Sequence, residues 1–217
     1  MGYTTEFWGQ IEVVPALNEK EVEYLTKFSE TRRMLRKKGD YYLGKGMCGQ
    51  DHEEDIIDYN APPFEQPSLW CQWIPTEDGR YIEWNTAEKF YYSAEWMWYV
   101  IQHFLKPNPI AKIRYPDQFY FLIGHKCDGV IDAQGEEGDD RWKLIVKDNE
   151  VFVQRGEVIY SDDIPVGNKD LELQYCFEQN KDSKKCLSCD TRFKCYTNEK
   201  QPTLRYGTFG AQSFWQE

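Results

Sequence analysis

The order of strand-like and helix-like segments constrains the fold of this chain more than any other feature. Alternating β-branched and aromatic residues predict strands, whereas apolar residues spaced three and four apart predict helices. In chain order the predicted elements are a strand over 4–14, a helix from about 19 to 33, strands over 69–74 and 80–84, a helix that ends before Pro107, and a strand over 119–123. This β-α-β-β-α-β order is typical of the ferredoxin-like, or split βαβ, arrangement.

We therefore expect an α+β fold in which two helices cover one face of an antiparallel, ferredoxin-like sheet. Further strand-like runs at 129–134, 141–146 and 150–154 predict strands appended to that sheet. The α+β domain is expected to span residues 1–165, and a cysteine-rich, basic extension is expected over 168–217.

Both predicted helices are preceded by the same capping pattern. Asn18 and Glu21 stand three residues apart, as in a capping box, in which the asparagine accepts from a helical N–H and the glutamate bonds back to the cap. Asn85 and Glu88 repeat this spacing before the second helix. The sequence therefore predicts that each helix begins directly after an asparagine.

A basic run and a long loop follow the first helix. Residues 32–38, RRMLRKK, hold five bases and are interpreted as a solvated last turn, with an anion-binding patch as the alternative. Residues 39–67 are interrupted by glycines and prolines, which predicts a long ordered loop. Loops of this length in compact domains are often functional.

Composition limits the classes of partner. The chain has 37 acidic and 26 basic residues, a formal net charge of −11, which disfavours broad binding to nucleic acid or anionic membranes. Aromatic residues make up 16% of the sequence, which indicates either a core rich in rings or an exposed contact surface. There is no apolar run of the ~20 residues that a membrane span needs and no secretory signal, so a cytoplasmic protein is expected.

Four of the seven cysteines form a cluster with the spacing C-x9-C-x2-C-x5-C, namely Cys176, Cys186, Cys189 and Cys195. Zn²⁺ favours tetrahedral coordination by thiolates, so a zinc site is the first interpretation. An iron–sulfur cluster, which also takes four cysteine ligands, and four free thiols are the alternatives. Since residues 176–205 hold seven Lys or Arg and four Asp or Glu, nucleic acid is considered a partner of this basic tail only.

No other cluster predicts a reaction. Residues 51–58, DHEEDIID, lack the glycine and glutamate positions of an EF-hand, so a solvated acidic loop is expected and a loose divalent-cation site is the alternative. The histidines His52, His103 and His125 share no motif. A thiol–imidazole pair of Cys127 and His125 is less expected than two ordinary neighbours on a strand.

The main body contains the motifs MGYTTEF, ETRRM, GQDHEEDIIDYN, QPSLWCQW, IEW, EKFY and EW. Together they resemble a family of small, functionally uncharacterised proteins encoded in bacterial and phage genomes. The resemblance runs from residue 1 to about residue 154, departs around 107–128, and does not include the tail. It implies a phage or mobile-element context and assigns no catalytic residue.

These patterns favour a non-enzymatic interaction protein. Its acidic, aromatic-rich body would bind a host or phage macromolecule, with a protein as the expected partner, for example as an inhibitor of a host system. The alternative is a nucleotide-binding protein or small hydrolase with a pocket lined by Trp70, Trp73 and Trp84, because aromatic rings can stack on a base.

Overall fold

A computed structural model of the protein describes residues 2–51, 54–157 and 159. The strands are β1 (Thr5–Val14), β2 (Leu35–Arg36), β3 (Ile56–Asp58), β4 (Trp73–Pro75), β5 (Tyr81–Trp84), β6 (Lys126–Gly135), β7 (Arg141–Lys147) and β8 (Glu150–Arg155). The helices are α1 (Glu19–Glu30), α2 (Ser93–Val100), which a π-helical turn (Ile101–Leu105) continues, and α3 (Ile110–Arg114). A 3₁₀ turn covers Met47–Gly49. The expected domain boundary near 165 lies outside the described residues.

Six of the strands form one antiparallel sheet in the order β4-β5-β1-β6-β7-β8, and β2 pairs with β3 separately. The longest pairing joins β1 and β6, from Thr5 opposite Gly135 to Val14 opposite Lys126. The hairpin of β7 and β8 turns at Asp148-Asn149, both with positive φ. Asparagine and aspartate tolerate this conformation better than other residues with a Cβ.

Two glycines set how closely β1 and β6 approach. Gly9 lies opposite Ile131 with a φ of +118°, and Gly129 lies opposite Ile11 with a φ of +156°. A Cβ at Gly9 would stand 2.5 Å from a carbonyl oxygen of the facing strand, and one at Gly129 would stand 2.6 Å from another. The absence of a side chain at both positions therefore lets the two strands pair at this close distance.

One face of the sheet contributes to the core and the other is open. A single cluster of buried side chains joins strands to helices; its members include Phe7, Ile11, Ile131 and Leu144 from the strands and Leu25, Phe28, Trp96 and Tyr99 from α1 and α2. The alternate strand residues point the other way, and Trp8, Val130 and Phe152 among them are exposed. We call this second side the open face.

The structure confirms the α+β class, the antiparallel sheet and the start of the first helix. The side chain of Asn18 accepts from the N–H groups of Lys20 and Glu21, and the Glu21 carboxylate accepts from the N–H of Asn18 at 2.8 Å. The capping box therefore forms as predicted, although α1 ends at Glu30 rather than near residue 33.

The second predicted helix start is wrong. α2 begins at Ser93, after Tyr92 in the left-handed conformation. Asn85 instead accepts from the N–H of Ala87 at 3.0 Å in a local turn. An asparagine side chain bonds its own backbone two residues on as readily in such a turn as at a helix start, so the pattern alone does not separate the two.

The predicted strand over 119–123 is also wrong, because these residues form a turn followed by irregular backbone and the next strand begins at Lys126. Phe119 and Leu122 are nevertheless buried. A short apolar run indicates burial but does not fix the backbone conformation. No helix among the described residues is long and apolar enough to cross a membrane.

Candidate functional site

A cleft of about 1220 Å³ opens beside the C-terminal end of α1. Its walls come from the end of α1 with Cys48, from the stretch between Pro62 and Gln72, and from the stretch between Asn85 and Tyr92. We call it the aromatic cleft. It exceeds the ~300–1,000 Å³ of ordinary small-molecule pockets, so it has room for several side chains of a ligand.

The backbone around the aromatic cleft is strained. Cys48, Thr86, Lys89 and Tyr92 have φ angles of 55°, 64°, 61° and 57°, in the left-handed region. Three of them line the cleft, and Thr86 stands between two lining residues. The other described non-glycine residues with positive φ tolerate it as asparagine or aspartate: Asn108, Asp148 and Asn149. For other residues this conformation costs about 1–2 kcal/mol, and such strain is concentrated at functional sites.

Gln72 holds the strained wall in place. Its side-chain N–H donates to the carbonyl of Glu88 at 3.1 Å, and its side-chain oxygen accepts from the indole of Trp84 at 3.2 Å. Its backbone carbonyl accepts from the N–H of Asn85 at 3.0 Å, and Asn85 in turn accepts from Ala87. These bonds fix the wall without a ligand, so the cleft is preformed.

The rings of the cleft are available for contact. Tyr91 and Tyr92 are exposed, and Trp70 is half-buried. The hydroxyl of Tyr91 accepts from the N–H of Tyr3 at 3.2 Å, which orients its ring. Aromatic faces attract both apolar groups and cations.

Carboxylates outnumber cations in the described lining of the cleft. Glu30 and Glu88 line it, and Lys89 is the basic residue beside them, with its aliphatic part against Gly2. The cleft therefore attracts positive charge. The described lining contains one thiol, that of Cys48, and no histidine, so it lacks the imidazole base that would activate such a nucleophile.

A buried arginine anchors the loop beside the cleft. Arg33 is 1% exposed, so the interpretation of 32–38 as a solvated turn is wrong. Its guanidinium donates to the carbonyls of Asp40 at 2.7 Å and Tyr42 at 3.3 Å and to the side chain of Gln66 at 3.1 Å, and it stacks on the ring of Phe28. Burial lowers the pKa of Arg33. Carbonyl groups and a ring stabilise this buried charge.

A second network, which runs from the core to the surface, holds another part of the same loop. The hydroxyl of Tyr41 lies 2.7 Å from Nδ1 of His103, and Tyr99 stacks on the imidazole. Glu65 lies 3.9 Å from Nε2 of His103 and accepts two bonds from Arg114, at 2.6 and 2.8 Å. Burial lowers the pKa of His103 to about 4, so the imidazole is neutral at pH 7.

His125 has a structural role at the start of α1. Its Nδ1 donates to the carbonyl of Pro15 at 2.7 Å, and its Nε2 lies 3.0 Å from the carboxylate of Glu21. Burial alone would raise the pKa of Glu21, but hydrogen bonds from His125 and from the N–H groups of Asn18 and Ile123 lower it overall. The hydrogen bond between His125 and Glu21 joins two fully buried side chains.

The remaining cysteines of the described chain do not form a reactive site. Cys127 is buried, and burial raises its pKa to about 12. Since both ring nitrogens of His125 bond elsewhere, the considered thiol–imidazole pair does not form. Burial likewise raises the pKa of Cys71 to about 12.

The predicted metal ligands Cys176, Cys186, Cys189 and Cys195 lie outside the described residues, so zinc and the iron–sulfur alternative stay predictions. Across 2–51, 54–157 and 159, no group of three or more His, Cys, Asp or Glu side chains is placed to hold a metal ion.

The acidic loop is solvated only in part. His52 and Glu53 lie outside the described residues, while Asp51 and Glu54 are exposed. Asp55 is buried and lies 3.5 Å from the guanidinium of Arg36, which is also buried. This segment therefore combines an exposed acidic surface with a buried ion pair that ties it to β2.

The three tryptophans predicted to line one pocket are not brought together. Trp70 lines the aromatic cleft. Trp73 belongs to the core and donates to the carbonyl of Ser93 at 2.7 Å, and Trp84 is half-buried against Gln72. Sequence reasoning missed Tyr91 and Tyr92 because it placed them inside a helix.

No family model, curated protein or solved structure matches this chain. The resemblance to small proteins of bacterial and phage genomes therefore stays a prediction, and the assignment of function depends on the chemistry of the cleft.

Proposed function

We propose that this protein is a non-enzymatic interaction protein that holds a segment of a protein partner in the aromatic cleft. The observation that carries the proposal is the concentration of left-handed residues, Cys48, Thr86, Lys89 and Tyr92, around a single cleft. Such strain persists only where the surrounding structure imposes it, and here it arranges rings and carboxylates around an open space.

The lining favours a segment that carries lysine or arginine beside apolar residues. A cationic side chain can lie over the ring of Trp70, Tyr91 or Tyr92 and still reach the carboxylate of Glu30 or Glu88. Tyrosine and tryptophan are also the residues most enriched at the centres of protein interfaces.

The alternative of a nucleotide-binding protein or small hydrolase is less well supported at this cleft. Phosphate groups would meet Glu30 and Glu88 with Lys89 as the basic neighbour, and like charges repel. Of the three tryptophans expected for such a pocket, Trp70 lines the cleft.

The wider context is part of the same proposal. The resemblance of the main body to phage-encoded proteins supports a phage or mobile-element protein that inhibits a host system by occupying a basic partner. We also propose a ferredoxin-like fold, and the order β4-β5-β1-β6 supports it, because a split βαβ sheet interleaves its strands in this way. A zinc ion held by the C-terminal cysteine cluster remains the proposed cofactor, and metal analysis of the purified protein tests it.

Short synthetic peptides that differ only in lysine, arginine and aromatic content test the cleft. Binding is measured by fluorescence anisotropy on wild type and on the Trp70→Ala and Glu88→Gln variants. We expect basic peptides to bind best and Trp70→Ala to weaken them about tenfold or more. Trp8→Ala, which removes an indole from the open face, is the matched control and should leave binding unchanged. If both cleft variants bind the peptides as tightly as wild type, or if basic peptides are not preferred, the proposal is contradicted.

A further inference from the structure

A second concave site lies on the open face of the sheet and shares no described lining residue with the aromatic cleft. It measures about 600 Å³ and follows one row of facing residues across four strands. In that row Trp8 lies opposite Asp132, Asp132 opposite Lys143, and Lys143 opposite Gln154. We call it the sheet groove.

Trp8 offers a flat apolar surface at one end of the groove. Its side chain is 53% exposed, while the neighbouring Phe7 points to the core. An indole that remains half in water on a regular strand presents its ring to any flat partner. Stacking on such a ring is tolerant of the identity of the base.

The other end of the groove is basic. Arg141 and Lys143 stand on the open face there, against the carboxylate of Asp132. Arg155 also borders the groove, but the register places it opposite Trp142, on the core side of the sheet. Asp132 pairs with Lys143 at 3.0 Å. No ion pair of Arg141 forms within the described chain, so its guanidinium group is available to an anion. Planar guanidinium groups suit phosphate, which they can bind through two bonds.

We propose that the sheet groove binds a nucleotide, with the base stacked on Trp8 and the phosphate held by Arg141. An aromatic platform on the same face as a free guanidinium matches a ligand that carries a flat ring and a phosphate together. The volume lies within the ~300–1,000 Å³ range of small-ligand sites.

The surrounding charge limits the ligand to about one nucleotide. Towards β5 the same face carries Glu12 and Glu83, and Gln10 donates to Glu83. Acidic residues on that side repel the next phosphate of a strand, and the net charge of −11 gives no long-range attraction. The ligand chemistry is therefore that of a mononucleotide rather than of a polyanion. This site does not depend on the proposed function of the cleft.

Titrations of the full chain with adenosine 5′-monophosphate, adenosine and inorganic phosphate test the proposal. Tryptophan fluorescence and amide chemical shifts report binding at low ionic strength. The monophosphate should bind more tightly than either fragment and shift amides of β1, β6 and β7. Trp8→Ala and, separately, Arg141→Gln should each weaken it about tenfold or more, since stacking and charge-assisted bonds are each worth ~1–3 kcal/mol.

Trp70→Ala is the matched control and should leave nucleotide binding unchanged, which separates this site from the cleft. Three results would overturn the proposal: no saturable binding of the monophosphate, equally tight binding of inorganic phosphate, or binding that both groove variants leave intact. Affinity for oligonucleotides that rises with their length would refute the single-nucleotide assignment. Tighter binding of a phosphotyrosine peptide would assign the groove to a different class of ligand.

Discussion

The aromatic cleft and the sheet groove place tryptophan at the surface by opposite means. The cleft is built from irregular segments with four left-handed residues, and its lining is acidic. The groove is built from four regular strands, and its lining is basic. A strand exposes every second side chain without strain, whereas a loop must be held in shape by other contacts.

Because the two sites are built differently, different contacts maintain their shapes. The walls of the cleft depend on Gln72, and the loop beside it depends on the buried groups Arg33 and His103. The groove depends instead on the close pairing of β1 and β6 at Gly9 and Gly129. Each region should therefore be destabilised by a different substitution.

The largest effect is expected for Arg33→Ala. This change removes three hydrogen bonds and a ring contact, and it takes a donor away from the half-buried carbonyl of Tyr42 and from the side chain of Gln66. We expect a loss of about 3–5 kcal/mol in the free energy of unfolding, measured by urea denaturation. Lys37→Ala, an exposed change in the same basic run, should alter it by less than about 0.5 kcal/mol. Equal effects of the two changes would show that Arg33 does not anchor the loop.

Gly9→Ala should destabilise the sheet by about 2–3 kcal/mol. The added Cβ would meet a carbonyl oxygen at 2.5 Å, and the φ of +118° is unfavourable for alanine. Gly138→Ala is the matched control, since no atom lies within 4 Å of its Cβ position. Thermal unfolding of both variants measures the difference. Hydrogen exchange should rise first in β1 and β6, and exchange confined to the cleft walls would contradict this account.

Mild acid should lower the free energy of unfolding because it protonates His103 in the unfolded chain first. The pKa of His103 is about 4 in the folded protein, against a usual value near 6.5, so the unfolded chain binds more protons between these values. The stability contributed by neutral His103 is complete above pH 6.5 and is lost as the pH falls towards 4. Urea unfolding at pH 7 and pH 4.5 should show a loss about 2 kcal/mol larger for wild type than for His103→Gln. Identical losses would exclude this role of His103.

The smallest effect is expected for Thr86→Gly. Glycine adopts the observed φ of 64° without the clash of a β-branched side chain, although it gains entropy in the unfolded chain. We expect a net stabilisation of about 0.5–1 kcal/mol by thermal unfolding. Ala87→Gly, in the same wall without positive φ, is the control and should not stabilise. A destabilised Thr86→Gly variant would mean that the wall is not strained at this residue.

The regular parts of the fold were predictable because local chemistry determines them. Alternation predicted β1, β7 and β8, and the Asn18–Glu21 pair predicted the start of α1. The open face follows from the same alternation, but the row that joins Trp8 to Lys143 requires the register between strands. That register is set by turns and glycines distributed along the chain.

The cleft could not be predicted for physical reasons. Glycine and asparagine often indicate a left-handed backbone, but other residue types do not. The positive φ of Thr86 and Tyr92 could therefore not be predicted from the sequence. The burial of Arg33 is set by loop carbonyls far along the chain, and a basic run is normally solvated. The apolar run that contains Phe119 indicated burial, but it did not determine whether the backbone forms a strand or a turn.

Gly9 of β1 and Gly129 of β6 also restrict how this protein can evolve. The atoms that a side chain at Gly9 or Gly129 would meet first are backbone carbonyls, which every amino acid shares. No substitution on the opposite strand can make room for it, so neither position has a compensating mutation. Sequence drift must leave both positions as they are, while the exposed residues beside them remain free to diversify towards new ligands.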